Sequence, residues 1–439
     1  MDLDQPGLGM TREYLMKGIE DGDIKAYLTY IKDIALLLGG DPQIVEKEME
    51  EILIFEIDIA NITLPRYSRD HVDFYKCKMI IFSREERRDA NKLYNPMTIN
   101  NLSDLDPSTP WLEYINKVLT KDIETVTGDE IIIVDVPNYV KEMSKLLAAT
   151  PARVQANYLM FRVAASSMGY MTEEAEKIGL KFSKKLTGQS AIKPRWKKCV
   201  GAATGSMSSA VGSLYVSKYF DEKSKSTALD MVNDIRAQFN LILQEIDWMD
   251  NDTKLRAKDK ANAMVEHIGY PPELLDMKKL TDLYDGLEVS RNDFYGNGRN
   301  MTIFGTNYSF SKLREKVNKT DWVRHGNPAI VNAFYSPLEN SIQFPAGILQ
   351  GVFFGSGRPK YLNYGAIGWV IGHEITHGFD DQGRQFDKEG NLVNWWHPDT
   401  ASRYLNKADC IIKQYSNYTF EQLDNLPVNG INTQVRKLY

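Results

Sequence analysis

The chain has 439 residues, too many for one small core and enough for two or three domains. A net charge of −6 leaves no basic excess to neutralise phosphates and argues against a nucleic-acid partner. With 23 Tyr and 7 Trp, the chain has the apolar content of a packed protein and not of a disordered one. No stretch approaches the roughly 20 apolar residues of a membrane-spanning helix. The start, Met1-Asp2-Leu3-Asp4-Gln5-Pro6, has neither a basic region nor an apolar one, so it does not read as a signal peptide.

In chain order, residues 26–38 read as a helix stopped by Gly39-Gly40. Residues 42–58 read as a second, with Val45, Met49, Ile52, Leu53 and Ile57 at three- and four-residue intervals. Residues 130–136 (EIIIVDV) read as a strand. A long amphipathic helix follows at 229–249, and Asn251-Asp252-Thr253 caps another that is expected to end at Gly269 and Pro271-Pro272. Residues 329–335 and 341–344 read as two strands parted by a turn, and 355–359 as a loop. Apolar stripes of this kind are core faces first. The expected class is mainly α-helical with a small β component.

The chemistry concentrates in His373-Glu374-Ile375-Thr376-His377, preceded by the apolar run Ile367-Gly368-Trp369-Val370-Ile371. On a helix, positions four apart share a face one turn apart, so His373 and His377 can ligate one Zn²⁺. Glu374, beside the first histidine, is placed to take a proton from water polarised by that ion. A pair of surface histidines on an ordinary helix is the bland alternative, and the apolar lead-in opposes it.

These residues, with Val331-Asn332-Ala333-Phe334-Tyr335, Phe344-Pro345-Ala346-Gly347-Ile348-Leu349-Gln350, Gly378-Phe379-Asp380-Asp381-Gln382-Gly383-Arg384, Trp395-Trp396 and Val428-Asn429-Gly430-Ile431-Asn432-Thr433, resemble the neprilysin and endothelin-converting-enzyme family of zinc metallopeptidases. The resemblance implies a gluzincin-type catalytic domain plus a large helical domain. The expected division is a mostly helical domain over 1–320 that caps the active site, its boundary approximate and open to interweaving, and a partial catalytic domain over 321–439, truncated at its C-terminus. It implies His373 and His377 as zinc ligands, Glu374 as the catalytic base and Asn332-Ala333 as the substrate-binding edge. Asp380 and Asp381 are candidates for supporting the histidines from behind.

The match departs from the family pattern after Thr433. There the family places its third zinc ligand, a Glu, whereas here Gln434-Val435-Arg436-Lys437-Leu438-Tyr439 follows and Arg436 takes the ligand's position. The expectation is one Zn²⁺ per chain with the third protein ligand missing. Glu389 and Glu421 are weak substitutes, since the resemblance places neither at the metal. The family's membrane anchor has no counterpart either, so membrane association is expected only through that missing segment.

Three cysteines, Cys77, Cys199 and Cys410, cannot close into pairs within the chain. Reduced thiols and disulfides to cysteines elsewhere both stay open, and the resemblance implies the latter for Cys199 and Cys410. Cys77 lies in what reads as an insertion over 66–83. Seven Asn-x-Ser/Thr sequons favour a glycoprotein, extracellular or the ectodomain of a plasma-membrane protein, over the cytosolic home that the start of the chain suggests. The leading functional reading is a zinc endopeptidase hydrolysing small peptides on the amino side of hydrophobic residues. The alternatives are a truncated, catalytically impaired peptide-binding or regulatory form, and a zinc-binding protein unrelated to peptide cleavage.

Overall fold

The computed structural model describes residues 1–65, 87–119, 125–421 and 425–433. Cys77 with the 66–83 segment, and residues 434–439 with Arg436, lie outside the described residues. The chain divides into two interwoven units, Met1–Pro194 with Gly286–Lys316, and Arg195–Asp285 with Val317–Tyr439. Helix dominates both, with small sheets, as the apolar periodicity implied. No described helix is long and apolar enough to cross a membrane.

The first unit is built on α1 (Gly22–Leu37) and α2 (Pro42–Ile62), joined by α3 (Pro137–Ala149), α4 (Ala152–Ser167) and α5 (Glu173–Thr187). Asp21 and Asp41 cap α1 and α2 by accepting from the amides of Asp23 and Gln43. The apolar period located both helices, but α1 starts four residues earlier because its first turn, Gly22-Asp23, is polar. Ile24, Tyr27, Ile31 and Ile34 pack with Val45, Met49, Ile52 and Leu53 into one core. Within that core the Glu56 carboxylate, 1% exposed, accepts from Tyr27 Oη (2.8 Å), Tyr158 Oη (3.0 Å), Arg162 Nη1 (3.1 Å) and the Gly9 amide (2.6 Å). Those donors offset the cost of burying the charge. A small sheet sets β3 (Ile131–Val134) between β1 (Asp2–Leu3), parallel to it, and β2 (Pro96–Thr98), antiparallel.

The second unit holds α6 (Glu222–Glu245), α7 (Asn251–Asn262), β4 (Val265–Gly269), β5 (Phe334–Ser336), β6 (Ser341–Pro345), α8 (Ile367–His377) and α9 (Pro398–Ser416). Two expectations change here. The helix capped before Asn251 stops at Asn262 instead of running to Gly269, and Val265–Gly269 becomes a strand parallel to β6. Its partner lies about 75 residues away, so local periodicity carried no trace of the pairing, which overrides local propensity. The segment 329–335 contributes only its last two residues and Ser336 to a strand, β5, antiparallel to β6. The sheet order is β4-β6-β5, which leaves β5 at an edge.

Strand alternation gives β6 two faces. Ile342 and Phe344 join Ile371, Ile375 and Phe379 in the core, along with Val232 and Phe239 of α6. Ser341 and Gln343 point the other way.

Asp250 ties the starts of α7 and α9 together. It accepts from the Thr253 amide (3.0 Å), Thr253 Oγ1 (2.6 Å) and Thr400 Oγ1 (2.5 Å). Burial pushes its carboxyl up, but the hydrogen bonds from Thr253 and Thr400 outweigh burial and hold it well below the usual range. A depressed carboxylate contributes stability that is complete above the unfolded value of about 4 and is lost as pH falls through the folded value. Asp250→Ala should therefore lower the free energy of unfolding by about 1–2 kcal/mol at pH 7. In urea denaturation the gap to the wild type should shrink as the pH drops below about 4. A gap that stays constant to pH 2 would contradict this account.

Candidate metal centre

Helix α8 buries Ile367, Val370, Ile371, Glu374 and Ile375, the i, i+3, i+4, i+7, i+8 stripe. On the other side stand Trp369, His373 and His377, each one turn apart. Trp369 is exposed, and its ring stacks on His373 at 5.6 Å between centroids. Both histidines are half-buried. Their rings meet edge to face at 78°, with Nε2 of His373 and Nε2 of His377 only 3.0 Å apart.

Asp380, 3% exposed, sits under this pair. Its Oδ2 lies 2.7 Å from His377 Nδ1. An ionised carboxylate only accepts, so Nδ1 carries the proton and Nε2 keeps its lone pair. Oδ1 accepts from the amides of Gln382 (2.9 Å) and Gly383 (2.7 Å), which fixes the carboxylate's direction. Burial lowers the pKa of His377, and the bond to Asp380 outweighs it, for a net rise. Glu374, 5% exposed, is raised to about 7, chiefly by burial, with Asp380 adding to the rise and His377 opposing it. Asp381 is half-buried and its carbonyl accepts from Gln385 Nε2 at 2.9 Å.

The turn after α8 is fastened by a residue that no motif announced. Lys260 of α7 is 1% exposed, and its ammonium donates to the carbonyls of Gly378 (2.8 Å), Gly383 (2.7 Å) and Phe386 (2.6 Å). Burial pulls its pKa down to about 7, while Asp380 and Asp387 work to raise it. Three carbonyl acceptors take all three N–H groups of the charged form. Gly383 must be glycine, because a Cβ there would lie 1.9 Å from the His377 carbonyl oxygen.

Asn332 is exposed and Ala333 is buried, directly ahead of edge strand β5. Tyr335 of β5 donates to Asn340 Oδ1 at 3.1 Å and lies close to Gly378, so the edge runs beside the end of α8. Glu389 and Glu421 are both exposed. Cys199 and Cys410 are exposed, free thiols among the described residues.

The pair of Nε2 atoms fits a zinc ion. Two bonds of about 2.0–2.1 Å in a tetrahedron hold their nitrogens roughly 3.3 Å apart, close to the observed spacing. A second set, His267, His325 and Glu339, brings its ligating atoms within 4.8 Å of one another, and it is the one group of three His, Cys, Asp or Glu side chains so placed among the described residues. Nothing in the sequence announced it, because its members come from three separate segments and follow no motif spacing.

A mainly helical chain in which a His-Glu-x-x-His helix packs its apolar side under a small mixed sheet has the architecture of a zinc metallopeptidase. The comparisons agree. Residues 1–271 and 332–437 match the two parts of peptidase family M13. The chain is 49% identical over 445 aligned residues to neprilysin-2 of Drosophila melanogaster, covering 99% of this chain and 55% of that protein. It is 38% identical to neprilysin-11 of Caenorhabditis elegans, covering 98% and 49%. Among solved structures, the zinc metalloprotease Zmp1 of Mycobacterium tuberculosis in complex with an inhibitor superimposes with a TM-score of 0.84 at 29% identity, over 100% of this chain and 62% of that one. The chain belongs to peptidase family M13, a family of zinc metallopeptidases. It spans about half the length of the curated relatives it matches.

Replacing Lys260 with Met keeps volume but leaves the Gly378 carbonyl without its donor, while those of Gly383 and Phe386 still accept from the Phe386 amide and from Trp395 Nε1. Each unpaired buried acceptor costs about 1–3 kcal/mol. Lys260→Met should lower the urea-unfolding free energy by about 1–3 kcal/mol. A loss below about 1 kcal/mol would mean that water replaces the ammonium without consequence.

Proposed function

We propose that this chain carries the histidine ligands, the proton acceptor and the peptide-holding edge of a zinc metalloendopeptidase acting on small peptides. The observation that carries the reading is the convergence of His373 Nε2 and His377 Nε2 at 3.0 Å beside the buried Glu374. His373 and His377 would hold one Zn²⁺, and Asp380 would keep His377 in the tautomer that ligates. When bound, zinc supplies a Lewis acid for the scissile carbonyl and makes water acidic enough to deprotonate near neutral pH.

Glu374 is the proton carrier. Its carboxylate takes a proton from the attacking water and gives it to the departing amine. Asn332 and Ala333, leading into the edge strand, hold the substrate in extended form. Main-chain hydrogen bonds supply affinity there, and the Asn332 amide can donate to a substrate carbonyl or accept from its N–H. The small size of the substrate belongs to this proposal as well. So does an extracellular or ectodomain location, which the sequons favour.

The purified 439-residue chain should be tested for zinc uptake and for cleavage of a short fluorogenic peptide with a hydrophobic residue after the scissile bond. Glu374→Gln should keep the metal and lose about 10²–10⁴-fold in kcat. Zinc binding with Glu374-independent cleavage would overturn the assigned base. Weak zinc binding and no turnover, together with retained affinity for peptide that Asn332→Ala abolishes, would favour the impaired peptide-binding form. Asp380→Asn should lower zinc affinity about 10–100-fold, read by competition with a chromophoric chelator.

A further inference from the structure

Two of the six histidines in the chain form the pair on α8. Two others meet on the opposite face of the β4-β6-β5 sheet. His267 lies on β4 opposite Gln343 of β6, and both point away from the face that Ile268 and Phe344 bury in the core. His325 ends the short turn Trp322–His325, and its ring stacks on His267 at 3.5 Å and 15°. Glu339 comes from the turn between β5 and β6, and its Oε2 is 3.4 Å from His325 Nε2. None of these residues belongs to the α8 centre, from which β6 separates them.

The polar bookkeeping of this cluster does not close with protein atoms alone. His325 and Glu339 are 7% and 8% exposed. His325 Nδ1 faces Gln343 Oε1 at 3.1 Å. An amide oxygen only accepts, so Nδ1 holds a proton, and Nε2, which faces Glu339, presents a lone pair when a metal ion displaces its own proton. Nε2 of His267 is buried without a hydrogen-bond partner, and Nε2 of His325 meets only the Glu339 carboxylate, at 3.4 Å. Buried imidazole nitrogens of this kind are costly unless something electrophilic meets them. Glu339 is oriented by Ser341 Oγ (3.0 Å) and Arg324 Nη1 (3.3 Å). A cavity of about 240 Å³, lined by His267, His325, Gln343 and Tyr270, leaves room beside the two imidazoles for water as a fourth ligand.

We propose that His267, His325 and Glu339 form a second metal site, which takes a zinc-class divalent ion on the sheet face opposite α8. Two imidazole nitrogens and one carboxylate oxygen suit zinc and its transition-metal neighbours, whereas calcium and magnesium prefer all-oxygen sites. Their present separations, up to 4.8 Å, must contract toward the roughly 3.3 Å edge of a zinc tetrahedron. Each imidazole keeps a bound ion near its own plane, so the two stacked rings fan apart on binding. The ion would fasten His325 and Glu339, which bracket Asn332-Ala333 in sequence, to β4. Its role is to stiffen the segment that leads into edge strand β5.

The test uses the full chain with His373→Ala and His377→Ala, which empties α8 of its ligands. After chelator treatment, zinc titration of this variant should show one site tighter than about 10 µM, and Co²⁺ should give the visible absorption of a tetrahedral complex. Adding His267→Gln, or separately Glu339→Gln, which keeps an acceptor for Ser341 Oγ, should weaken binding at least about tenfold. Circular dichroism melts confirm that each variant is folded. A folded double-alanine chain that takes up no zinc would overturn the proposal, and so would zinc uptake that neither further substitution changes. His267→Gln in the otherwise unaltered chain reports the α8 centre alone, so failure of one site is distinguishable from failure of the other.

Discussion

The geometry of the α8 centre depends on a buried charge supplied by another helix. The chain must leave α8 at His377, turn within a few residues and bring Asp380 back under the histidine it supports. A tight turn of that kind aims several carbonyls inward, where no water can reach them. The Lys260 ammonium gathers three of them, from Gly378, Gly383 and Phe386. Those dipoles, with Asp380 and Asp387 nearby, offset part of the cost of burying its charge, and burial still pulls its pKa down to about 7. Asp380 is thereby coupled twice, once to the histidine it orients and once through the field of Lys260. A motif defined on α8 alone omits the residue that keeps its end folded.

Strand β6 organises the rest of the second unit by having two unlike faces. On one side Ile342 and Phe344 seat the sheet against α8 and α6. On the other, Gln343 and Ser341 contact His325 and Glu339. A one-residue slip would send the apolar set outward and the polar set into the core, so the register is heavily constrained. The five-residue parallel pairing with β4 and the turn closed by Asn340 both fix it. Asn340 adopts a left-handed conformation (φ 50°), and its side-chain amide donates to the carbonyls of Lys260 and Lys388. Lys260 and β6 are thus held to each other through one buried Asn.

What the sequence made legible follows from distance along the chain. His373, Glu374 and His377 lie within one turn of helix, and Asp380 only three residues on, so spacing alone brings them together. Helices α1 and α2 were visible because their apolar periods are long and Gly39-Gly40 marks the end of α1. The strand Val265–Gly269 was read as the end of a helix, since its partner lies far down the chain. Lys260 looks like any lysine on a polar helix until its three acceptors, more than a hundred residues later, come into place. His267 and His325 follow no motif because a cluster assembled by tertiary packing needs none. Asn332-Ala333 was identified through resemblance and stands beside an edge strand, but the strand proper begins only at Phe334.

The short edge strand has a consequence for how the protein behaves in a crowd. An open edge that can accept one extended peptide can in principle accept any, including the same edge of another copy. Here β5 is three residues long, and Pro337 follows it at once. So few unpaired backbone groups make a poor template for sheet-to-sheet growth. Brevity at this edge discourages self-association.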